Sequence, residues 1–412
     1  MKLTDDLTYR NLIYALTDDA LEEKLNNDRI TFYLGADPTA DSLHVGHLLA
    51  FLVAKRLAEY GHQPILLIGG GTGLIGDPSG RSSERNLLTL DDTLKNAKAI
   101  EKQVRNILPE ADVVNNYDWI KNIDMITFLR DYGKFFNINT MLAKDSVKSR
   151  LEAGISFTEF SYQIIQSIDF LELYNKKNCT VQIGGQDQWG NITAGLELIR
   201  KQKGVDHDAH GLVIPLITKK DGSKFGKTAD GAVWLDPKKT SPYAFYQYWV
   251  NLEDTEAIER LKQFTDFDQP TIERIAEKMQ ETPHLRHAQK ALGEHLTTLV
   301  HGEAAYQQAL KITEALFNGA IQTLSAEEIK MGFEGVPTCS VDETTNIVDG
   351  LILSGLASSK REARTFLKQN AIALNGEKVQ DTEIMLNKET ALDGVYTVLK
   401  RGKKHYALIH HK

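Results

Sequence analysis

Residues 36 to 51 read ADPTADSLHVGHLLAF, and this stretch joins an apolar segment to an amphipathic helix through a turn. Apolar segments flank it on both sides, ITFYLGA (30–36) before it and QPILLIGG (63–70) after it. A similar series follows later: CTVQIGG (179–185), NITAGLELIRK (191–201) and GLVIPLI (211–217). Buried strands that alternate with helical stretches predict an α/β fold with a parallel sheet.

Length and composition set the wider frame. The 412 residues are enough for two or three domains, and no apolar run approaches the roughly 20 residues of a membrane span. The first residues, MKLTDDLTYR, are polar and acidic, so we expect neither a signal peptide nor a membrane anchor, and a cytoplasmic location. Cys179 and Cys339 have no metal-binding spacing, which suits a reducing compartment.

Charge is distributed unevenly along the chain. The net charge is −8, yet residues 357–412 hold 11 Lys and Arg against 6 Asp and Glu. A basic tail on an acidic body favours a polyanionic partner at one end, although a solvated charged surface explains the charge equally well.

The two histidines of HVGH stand at the predicted start of a helix. His44 and His47 share a helix face, but neither a third metal ligand nor HExxH accompanies them. A pair of ordinary surface histidines is the simplest alternative. The flanking residues favour a site instead, because Asp41 or Ser42 can cap the helix and Gly46 removes side-chain bulk. A helix start with exposed N–H groups and two imidazole donors suits a nucleotide triphosphate.

A GxGxxG pattern follows the second strand, at Gly71, Gly73 and Gly76. A dinucleotide fold needs these glycines to open a long helix, and DPSG (77–80) breaks the chain at once, so we reject NAD binding. Asp77, Arg81 and Arg85 then follow near the strand ends, where α/β sheets bind ligands.

The stretch 156–174 predicts a helix with two faces. Phe160, Ile164, Ile168 and Leu171 form a core face, while Tyr162, Gln166 and Asp169 form a polar stripe. The stripe is either solvated or suited to a small ligand that has an ammonium group and a hydroxyl. GGQDQWGN (184–191) adds Asp187 and Gln188 after two glycines that let a ligand approach the backbone.

KFGKT (224–228) places Lys224 and Lys227 on a glycine-bearing loop, with nothing apolar enough to hold it rigid. A plain exposed loop is one reading. The other is a pair of ammonium groups that stabilise charge as pyrophosphate leaves.

In the tail, SSKREARTFLKQNAIALNGEKV (358–379) begins with a possible capping box, Ser359 and Glu362. Its basic residues predict an RNA-binding helix face, with a solvated helix as the alternative. They are Lys360, Arg361, Arg364 and Lys368, and Lys400, Arg401, Lys403 and Lys404 extend the positive surface. Asn375-Gly376 predicts a hairpin turn.

Together these motifs resemble the bacterial tyrosyl-tRNA synthetases, which are class I aminoacyl-tRNA synthetases. HVGH is similar to the HIGH signature and KFGKT to KMSKS, which identify only the class. YLGADPTADSLHVGH, YQIIQSID, GGQDQWGN and DGSKFGKT resemble the tyrosine enzyme specifically, and the likeness covers nearly the whole chain.

The resemblance implies a chemistry and partners. L-Tyrosine and ATP would form tyrosyl-adenylate, and the tyrosine would then pass to the 3′ end of tRNA(Tyr). No general base is needed, because the tyrosine carboxylate attacks the α-phosphorus itself. The implied partners also include Mg²⁺ carried with ATP, without a dedicated metal site on the protein, and a second copy in a homodimer formed through the inserted helices. No membrane is implied.

Residue roles follow from the same resemblance. The tyrosine set is Tyr33 and Asp169 on the hydroxyl, Asp77, Tyr162 and Gln166 on the ammonium, and Gln188 near the carboxylate. The ATP set is Gly35, Asp37, Thr39, His44, Gly46, His47, Asp187, Lys224 and Lys227. The catalytic set, which stabilises the phosphates, is Thr39, His44, His47, Arg81, Arg85, Lys224 and Lys227. Lys360, Arg361, Arg364 and Lys368 would contact tRNA.

The implied organisation has a class I Rossmann-like catalytic domain, a helical domain and a small α+β RNA-binding module. The expected boundaries are 1–220 with a helical insertion at about 115–180, a mobile loop linker at 221–247, a helical anticodon-side domain at 248–320, a linker at 321–340 and the module at 341–412. Two residues depart from many relatives: Leu34 stands where a cysteine is common, and Ala50 where some have a threonine.

Three alternatives remain. A tryptophan enzyme shares the fold and signatures, but Tyr33, Asp169 and the RNA module favour tyrosine. A non-catalytic RNA-binding protein would not need to keep the histidines and loop lysines. A small-molecule nucleotidyltransferase with an HxGH site leaves the RNA module unexplained.

Overall fold

Two compact units make up the protein in the computed structural model. The first comprises residues 1–239 and 252–292, and the second comprises 240–251 and 293–412. The structure describes residues 1–80, 87–148, 150–152, 154–218, 225–228, 231–402 and 405–412, with Lys227 and Thr228 described by their main chain.

A six-stranded sheet organises the first unit. Its strands are β1 (Ala15–Leu16), β2 (Thr31–Ala36), β3 (Gln63–Ile68), β4 (Asp112–Asn115), β5 (Cys179–Gly185) and β6 (His210–Ile214). They lie in the order β1-β6-β5-β2-β3-β4, and all neighbours are parallel except β1 and β6. The α/β fold predicted from the sequence is therefore confirmed.

Helices connect and cover these strands. The first ten are α1 (Leu3–Tyr9), α2 (Ala20–Asn27), α3 (Val45–Glu59), α4 (Leu90–Ile107), α5 (Tyr117–Ile120), α6 (Met125–Thr127), α7 (Ile138–Leu142), α8 (Asp145–Lys148), α9 (Phe157–Lys177) and α10 (Trp189–Lys203). A π-helical segment covers Phe128–Tyr132. Strands β3 and β6 are buried on both faces, as a parallel sheet between helices requires, and both are nearly continuous apolar runs.

The strand order fixes where a ligand can bind. From β2 the chain proceeds to β3 and β4 on one side, whereas β5 and β6 lie on the other. The carboxyl ends of β2 and β5, at Ala36 and Gly185, therefore meet at a topological switch point, which is where open α/β sheets bind ligands.

The remaining elements lie beyond residue 218. Strands β7 (Lys227–Thr228) and β8 (Gly231–Ala232) form a short antiparallel pair. The helices are α11 (Pro242–Val250), α12 (Asp254–Phe264), α13 (Gln269–Glu281), α14 (His287–His301), α15 (Glu303–Asn318), α16 (Ala326–Gly332), α17 (Ile347–Leu353) and α18 (Lys360–Lys368). Within the described residues, no helix is long and apolar enough to cross a membrane.

A second sheet belongs to the other unit. Its strands are β9 (Thr338–Val341), β11 (Ile372–Leu374), β12 (Glu377–Val379), β14 (Tyr396–Arg401) and β15 (His405–His411), and the short pair β10 (Thr345–Asn346) and β13 (Met385–Leu386) lies beside it. The order is β12-β11-β14-β15-β9. Asn375 and Gly376 form the β11–β12 turn with φ of 49° and 94°, so the predicted hairpin is confirmed.

The segment 321–340, which was expected to be a linker, is folded. It contains helix α16, whose start is closed by a capping box between Ser325 and Glu328. Its side chains Ile329 and Phe333 belong to one buried cluster with Val398 and Leu408 of the sheet. Apolar residues between the glycines therefore join the helices of this unit to its sheet. The proposed domain boundaries as a whole stay predictions.

Candidate active site

The HVGH stretch begins helix α3, and His44 itself is the N-cap. Its Nδ1 accepts the Gly46 N–H at 3.0 Å, while Nδ1 of His47 accepts the His44 N–H at 3.3 Å, which completes a capping box. The expectation that Asp41 or Ser42 caps this helix is wrong. Asp41 pairs with Lys239, and the Ser42 hydroxyl donates to the Leu43 carbonyl.

This cap also orients the two imidazoles. In a neutral imidazole one nitrogen donates and the other accepts, so an Nδ1 that accepts a main-chain N–H leaves the proton on Nε2. The rings stack with centroids 3.8 Å apart. A Cβ on Gly46 would lie 2.8 Å from the His44 ring, so only glycine fits below it. Two imidazoles with the proton on Nε2 therefore lie at the positive end of the helix.

The described centre of KFGKT lies directly against this helix start. A Cβ on Gly226, where φ is +80°, would lie 2.8 Å from the Gly46 nitrogen. Phe225 is buried, and the centroid of its ring lies 5.6 Å from that of Phe264. The expectation that nothing apolar holds this loop is therefore wrong for residues 225–226. We call His44, Gly46, His47 and residues 225–226 the phosphate side of the site.

The segment after the loop is folded as well. The Val45 N–H donates to the Val233 carbonyl at 2.9 Å, and the Leu235 N–H donates to the Leu43 carbonyl at 2.8 Å. Both Val233 and Leu235 are buried. A mobile linker at 221–247 is thus contradicted over residues 233–236, because these hydrogen bonds hold that segment to the start of α3.

The glycine run after β3 makes room for a carboxylate. A Cβ on Gly69 would lie 2.0 Å from Oδ1 of Asp37 and 2.3 Å from the Thr72 hydroxyl. Residues Thr72–Leu74 form a single 3₁₀ turn rather than the long helix of a dinucleotide site. Asp37 accepts from Thr72 at 2.6 Å and from the Tyr162 hydroxyl at 2.8 Å.

The polar stripe of α9 faces the interior, so its solvated reading is excluded. Tyr162 is 5% exposed and Asp169 is 1% exposed. Burial, with the Asp37 charge second, raises the pKa of Tyr162 well above its usual value. Burial also raises the pKa of Asp169 to about 8, although hydrogen bonds to its carboxylate oppose the rise.

Tyr33 lies on β2, and its side chain is 2% exposed. The centroid of its ring is 5.4 Å from that of Phe170. Burial, followed by the nearby Asp169 charge, raises the pKa of Tyr33 well above its usual value. Its hydroxyl has no hydrogen-bond partner among the described residues. A buried hydroxyl without a partner is costly and indicates that a ligand completes the site.

The sequence did not predict three residues that support this pocket, Thr72, Asn116 and Trp119. Asn116 donates to Asp169 at 2.9 Å and to the Thr72 hydroxyl at 2.9 Å, and it accepts from the Gly71 N–H at 2.7 Å. Trp119 donates from its indole nitrogen to the other Asp169 oxygen at 2.8 Å. A continuous set of hydrogen bonds thus runs from Asp37 to Asp169 through Thr72 and Asn116.

A second set holds the residues predicted to bind the tyrosine ammonium and carboxylate. The Gln188 amide donates to Asp77 at 2.7 Å, and the Gln166 amide donates to Gln188 at 3.3 Å. Asn191, also missed from the sequence, donates to the oxygens of Gln166 and Gln188 at 3.0 and 3.1 Å. We call the set that the sequence predicts to bind tyrosine the tyrosine pocket: Tyr33, Asp77, Tyr162, Gln166, Asp169 and Gln188.

The other predicted ATP residues lie at the same edge of the sheet. Gly35 and Thr39 are exposed, just before and after Asp37. Asp187 follows β5, and a Cβ on Gly80 would lie 3.6 Å from its Oδ2. Arg81, Arg85 and Lys224, with Lys403 and Lys404 in the tail, fall outside the described residues, and the side chain of Lys227 is not described.

The predicted RNA face belongs to α18. Ala363 and Leu367 are buried there, and the basic residues are exposed: Lys360, Arg361, Arg364 and Lys368. Ser359 caps the helix, but Glu362 accepts from the N–H and hydroxyl of Ser358, so the expected capping box is only half formed.

Known proteins match both parts of the chain. A family model described as "tRNA synthetases class I (W and Y)" matches residues 25–318, and one described as "Tyrosine--tRNA ligase SYY-like C-terminal domain" matches residues 328–409.

Solved structures give the same picture. C-terminally truncated mitochondrial tyrosyl-tRNA synthetases from Aspergillus nidulans and Coccidioides posadasii are each 30% identical, with TM-scores of 0.69 and 0.66. The alignments cover 77% and 76% of this chain, and 94% and 91% of theirs. A tyrosyl-tRNA synthetase from Archaeoglobus fulgidus complexed with L-tyrosine is 16% identical, with a TM-score of 0.57 over 75% of this chain and all of the other, and shares the fold alone.

Proposed function

Because the chain belongs to the tRNA synthetases class I (W and Y), we propose that its tyrosine pocket and phosphate side together form tyrosyl-adenylate. The activity of the protein is tyrosine–tRNA ligation. It activates L-tyrosine with ATP, releases pyrophosphate, and transfers tyrosine to the 3′ end of tRNA(Tyr).

The single observation that carries the assignment is the unpartnered hydroxyl of Tyr33 beside the Asp169 carboxylate. A phenol hydroxyl placed between them accepts from Tyr33 and donates to Asp169, so both buried groups gain a partner. Phenylalanine leaves the Tyr33 hydroxyl unpaired and adds no donor to the two, Asn116 and Trp119, that Asp169 already has. Tyrosyl-tRNA synthetase is a standard example of such discrimination.

At the other end of the substrate, Asp77, Tyr162 and Gln166 hold the ammonium in our proposal, and Gln188 lies beside the carboxylate. The carboxylate is already an anion, so it attacks the α-phosphorus without a general base. His44 and His47 donate from Nε2 to oxygens of ATP, because their Nδ1 atoms are engaged in the helix cap. Thr39, Asp37, Gly35 and Asp187 complete the ATP contacts.

Charge on the departing pyrophosphate is stabilised by four basic side chains in this proposal: Arg81, Arg85, Lys224 and Lys227. Mg²⁺ would arrive on the ATP phosphates, which is how this ion usually binds. Among the described residues there is no group of three or more His, Cys, Asp or Glu that could hold a metal ion.

Pyrophosphate exchange tests the assignment directly. We expect labelled pyrophosphate to enter ATP when tyrosine is present, and not with tryptophan or phenylalanine. Equal exchange with tryptophan would overturn the specificity, and no exchange with any aromatic amino acid would overturn the activity.

We also propose a homodimer formed by the inserted helices. Large apolar side chains are exposed there in one stretch of the chain, and burying such side chains is what drives association. They are Met125, Ile126, Leu129, Ile138 and Phe157. Phe157→Asp should give monomers in sedimentation, whereas Phe317→Asp, at a side chain that is 90% exposed in the other unit, should leave the dimer intact. Equal masses for the two variants would refute the interface.

The α18 face is proposed to bind tRNA, mainly through phosphates and therefore in a salt-sensitive way. Arg361→Glu with Arg364→Glu should lower tRNA charging at least about tenfold and leave exchange unchanged. Lys388→Glu with Lys412→Glu, the same charge change elsewhere on this sheet domain, is the control. Charge reversal is cleaner than deletion of 341–412, since deletion uncovers Ile312 and Phe333.

The bacterial type of tyrosyl-tRNA synthetase and the cytoplasmic location of the protein stay predictions.

A further inference from the structure

The lysine loop is held at its base by described residues. Residues 217 and 218 precede the segment 219–224, and Phe225 follows it. The Phe225 N–H donates to the Ile217 carbonyl at 3.4 Å, which closes the base of the loop. The Phe225 ring is buried against Phe264 of α12. The base is therefore fixed to helix α12 rather than exposed.

One side chain contacts both ends of the loop at this base. Arg260, also on α12, is buried and donates from Nη2 to the Thr218 carbonyl at 3.0 Å. Its guanidinium carbon lies 5.0 Å from the centre of the Phe225 ring, which is the geometry of a cation–π contact. Its Nη1 donates to the Gln263 side-chain oxygen at 2.7 Å, so a residue of the same helix also fixes the guanidinium plane.

The contact continues into the HVGH helix. Phe225 leads directly into Gly226, which packs on the Gly46 nitrogen so closely that a Cβ would be only 2.8 Å away. The Val233 N–H then donates to the Gly226 carbonyl at 2.9 Å. The position of Phe225 thus determines how Gly226 lies on the start of α3, and where the main chain enters Lys227.

Helix α12 is itself fixed to the far end of α3. Buried Arg10 donates to the carbonyls of Lys262 and Thr265 at 2.8 and 2.9 Å. Arg56, in the last turn of α3, donates to the same Thr265 carbonyl at 2.8 Å and pairs with Asp6. The Thr265 carbonyl at the end of α12 is therefore held in part by α3, the helix whose start presents His44 and His47.

We propose that Arg260 is a positioning residue for tyrosine activation. By holding Thr218 and Phe225 together, it sets the position of Gly226 on the start of α3, and so the position from which Lys227 reaches the phosphates. The inference rests on the proposed function of the phosphate side. Arg260 contacts the loop base and not the tyrosine pocket, so its loss should slow the chemical step and leave tyrosine binding intact.

Arg260→Met tests this, since methionine keeps the bulk of the buried side chain and removes the planar cation. We expect kcat for pyrophosphate exchange to fall by about tenfold or more, because small misplacements of reacting groups are costly. The dissociation constant for tyrosine should stay within about twofold of the wild type. Lys262→Met is the matched control: it removes a cation from the same helix, one that lies over the ring of Tyr9 instead of Phe225.

Two further variants keep the proposal testable if Arg260→Met folds poorly. Arg260→Lys retains the charge but not the planar fork, and should recover part of kcat. Phe225→Leu removes the aromatic partner of the Arg260 cation–π contact, and its effect should not add to that of Arg260→Met.

Three results would overturn the role of Arg260: an unchanged kcat in Arg260→Met, a parallel loss of tyrosine binding, or full additivity with Phe225→Leu. If the wild type itself fails to exchange pyrophosphate, the proposed function fails instead, so the two failures are distinguishable.

Discussion

The tyrosine pocket and the phosphate side lie at one edge of one sheet, yet they are built differently. Tyr33, Tyr162 and Asp169 of the pocket are at most 5% exposed, and their supporting groups hydrogen-bond to one another. On the phosphate side Gly46 and His47 are exposed, and main-chain groups fix the imidazoles.

The difference matches two tasks. Selecting one amino acid needs buried polar groups that only the correct hydroxyl can satisfy, and dehydration of the pocket makes a wrong substrate costly. Stabilising a phosphoryl transition state needs donors fixed in advance where charge develops. Mutations in the pocket should therefore change binding, and mutations on the phosphate side should change rate.

The largest expected effect is on the phosphate side. His44→Ala should lower kcat for pyrophosphate exchange by about 10²–10³, the cost of losing one preorganised donor, and leave tyrosine affinity unchanged. Stopped-flow adenylate formation and equilibrium tyrosine binding measure the two quantities separately.

His44 also caps α3, and a second variant separates the two roles. Asparagine is a good N-cap, so His44→Asn should keep the stability that His44→Ala loses, about 1 kcal/mol, while remaining slow. If His44→Asn were as active as the wild type, helix capping alone would explain the role of this residue. If tyrosine binding fell with the rate, the division between the two regions would be wrong.

Within the pocket the largest effect should come from Asp169. Asp169→Asn replaces a carboxylate acceptor with a neutral amide, and a hydrogen bond to a charged group is worth about 1.5–3 kcal/mol, or roughly 10- to 150-fold in affinity. At a pH well above the Asp169 pKa of about 8, where the carboxylate is ionised, the dissociation constant for tyrosine should rise within that range. Phenylalanine, which has no hydroxyl to donate, should bind both proteins almost equally, and a matching loss for phenylalanine would contradict the assigned contact.

The pocket and the phosphate side also differ in how well the sequence predicts them. Tyr162, Gln166 and Asp169 lie on one long regular helix, so its periodicity places them on one face, whereas Tyr33 on β2 was assigned from the family resemblance alone. The four long strands of the first sheet were predicted for the same reason. Strands β1 and β4, with two and four residues, are too short for a periodic signal.

The supporting residues were missed because they come from separate segments. Asn116 and Trp119 follow the short strand β4, and only tertiary structure brings them to Asp169, 53 and 50 residues away. The cap on α3 was misassigned because histidine is not among the preferred N-cap residues, whereas Asp41 and Ser42 are. Phe225 has no neighbouring apolar residue in sequence, and its partner Phe264 lies on another helix.

The pH dependence of tyrosine binding sharpens the comparison, because Asp169 belongs to the pocket. Burial raises the pKa of Asp169 to about 8, and under the proposed function the substrate hydroxyl donates to its ionised form. The proton must therefore leave before tyrosine binds, so affinity rises with pH until the carboxylate is ionised. With a pKa of about 8, the ionised fraction grows about eightfold between pH 7 and 8.5.

Calorimetry should show tyrosine affinity increasing by that factor over this range. Phenylalanine has the same ammonium and carboxylate groups and serves as the control ligand, and it should not show the increase. In Asp169→Asn the increase should vanish for tyrosine as well. A common pH profile for the two amino acids would assign the titration to another group.

The smallest effect is expected at Tyr33, and its two parts have opposite signs. Tyr33→Phe removes one neutral hydrogen bond to the substrate hydroxyl, so tyrosine should bind about two- to tenfold more weakly, with phenylalanine unaffected. The same change removes a buried hydroxyl that lacks a partner in the free protein. The free energy of unfolding should therefore rise, by about 1 kcal/mol, in urea titrations of the free enzyme. A hydroxyl that serves only the substrate destabilises the free protein, so its removal should stabilise that protein. Lower stability together with unchanged selectivity would show instead that the Tyr33 hydroxyl has a structural role.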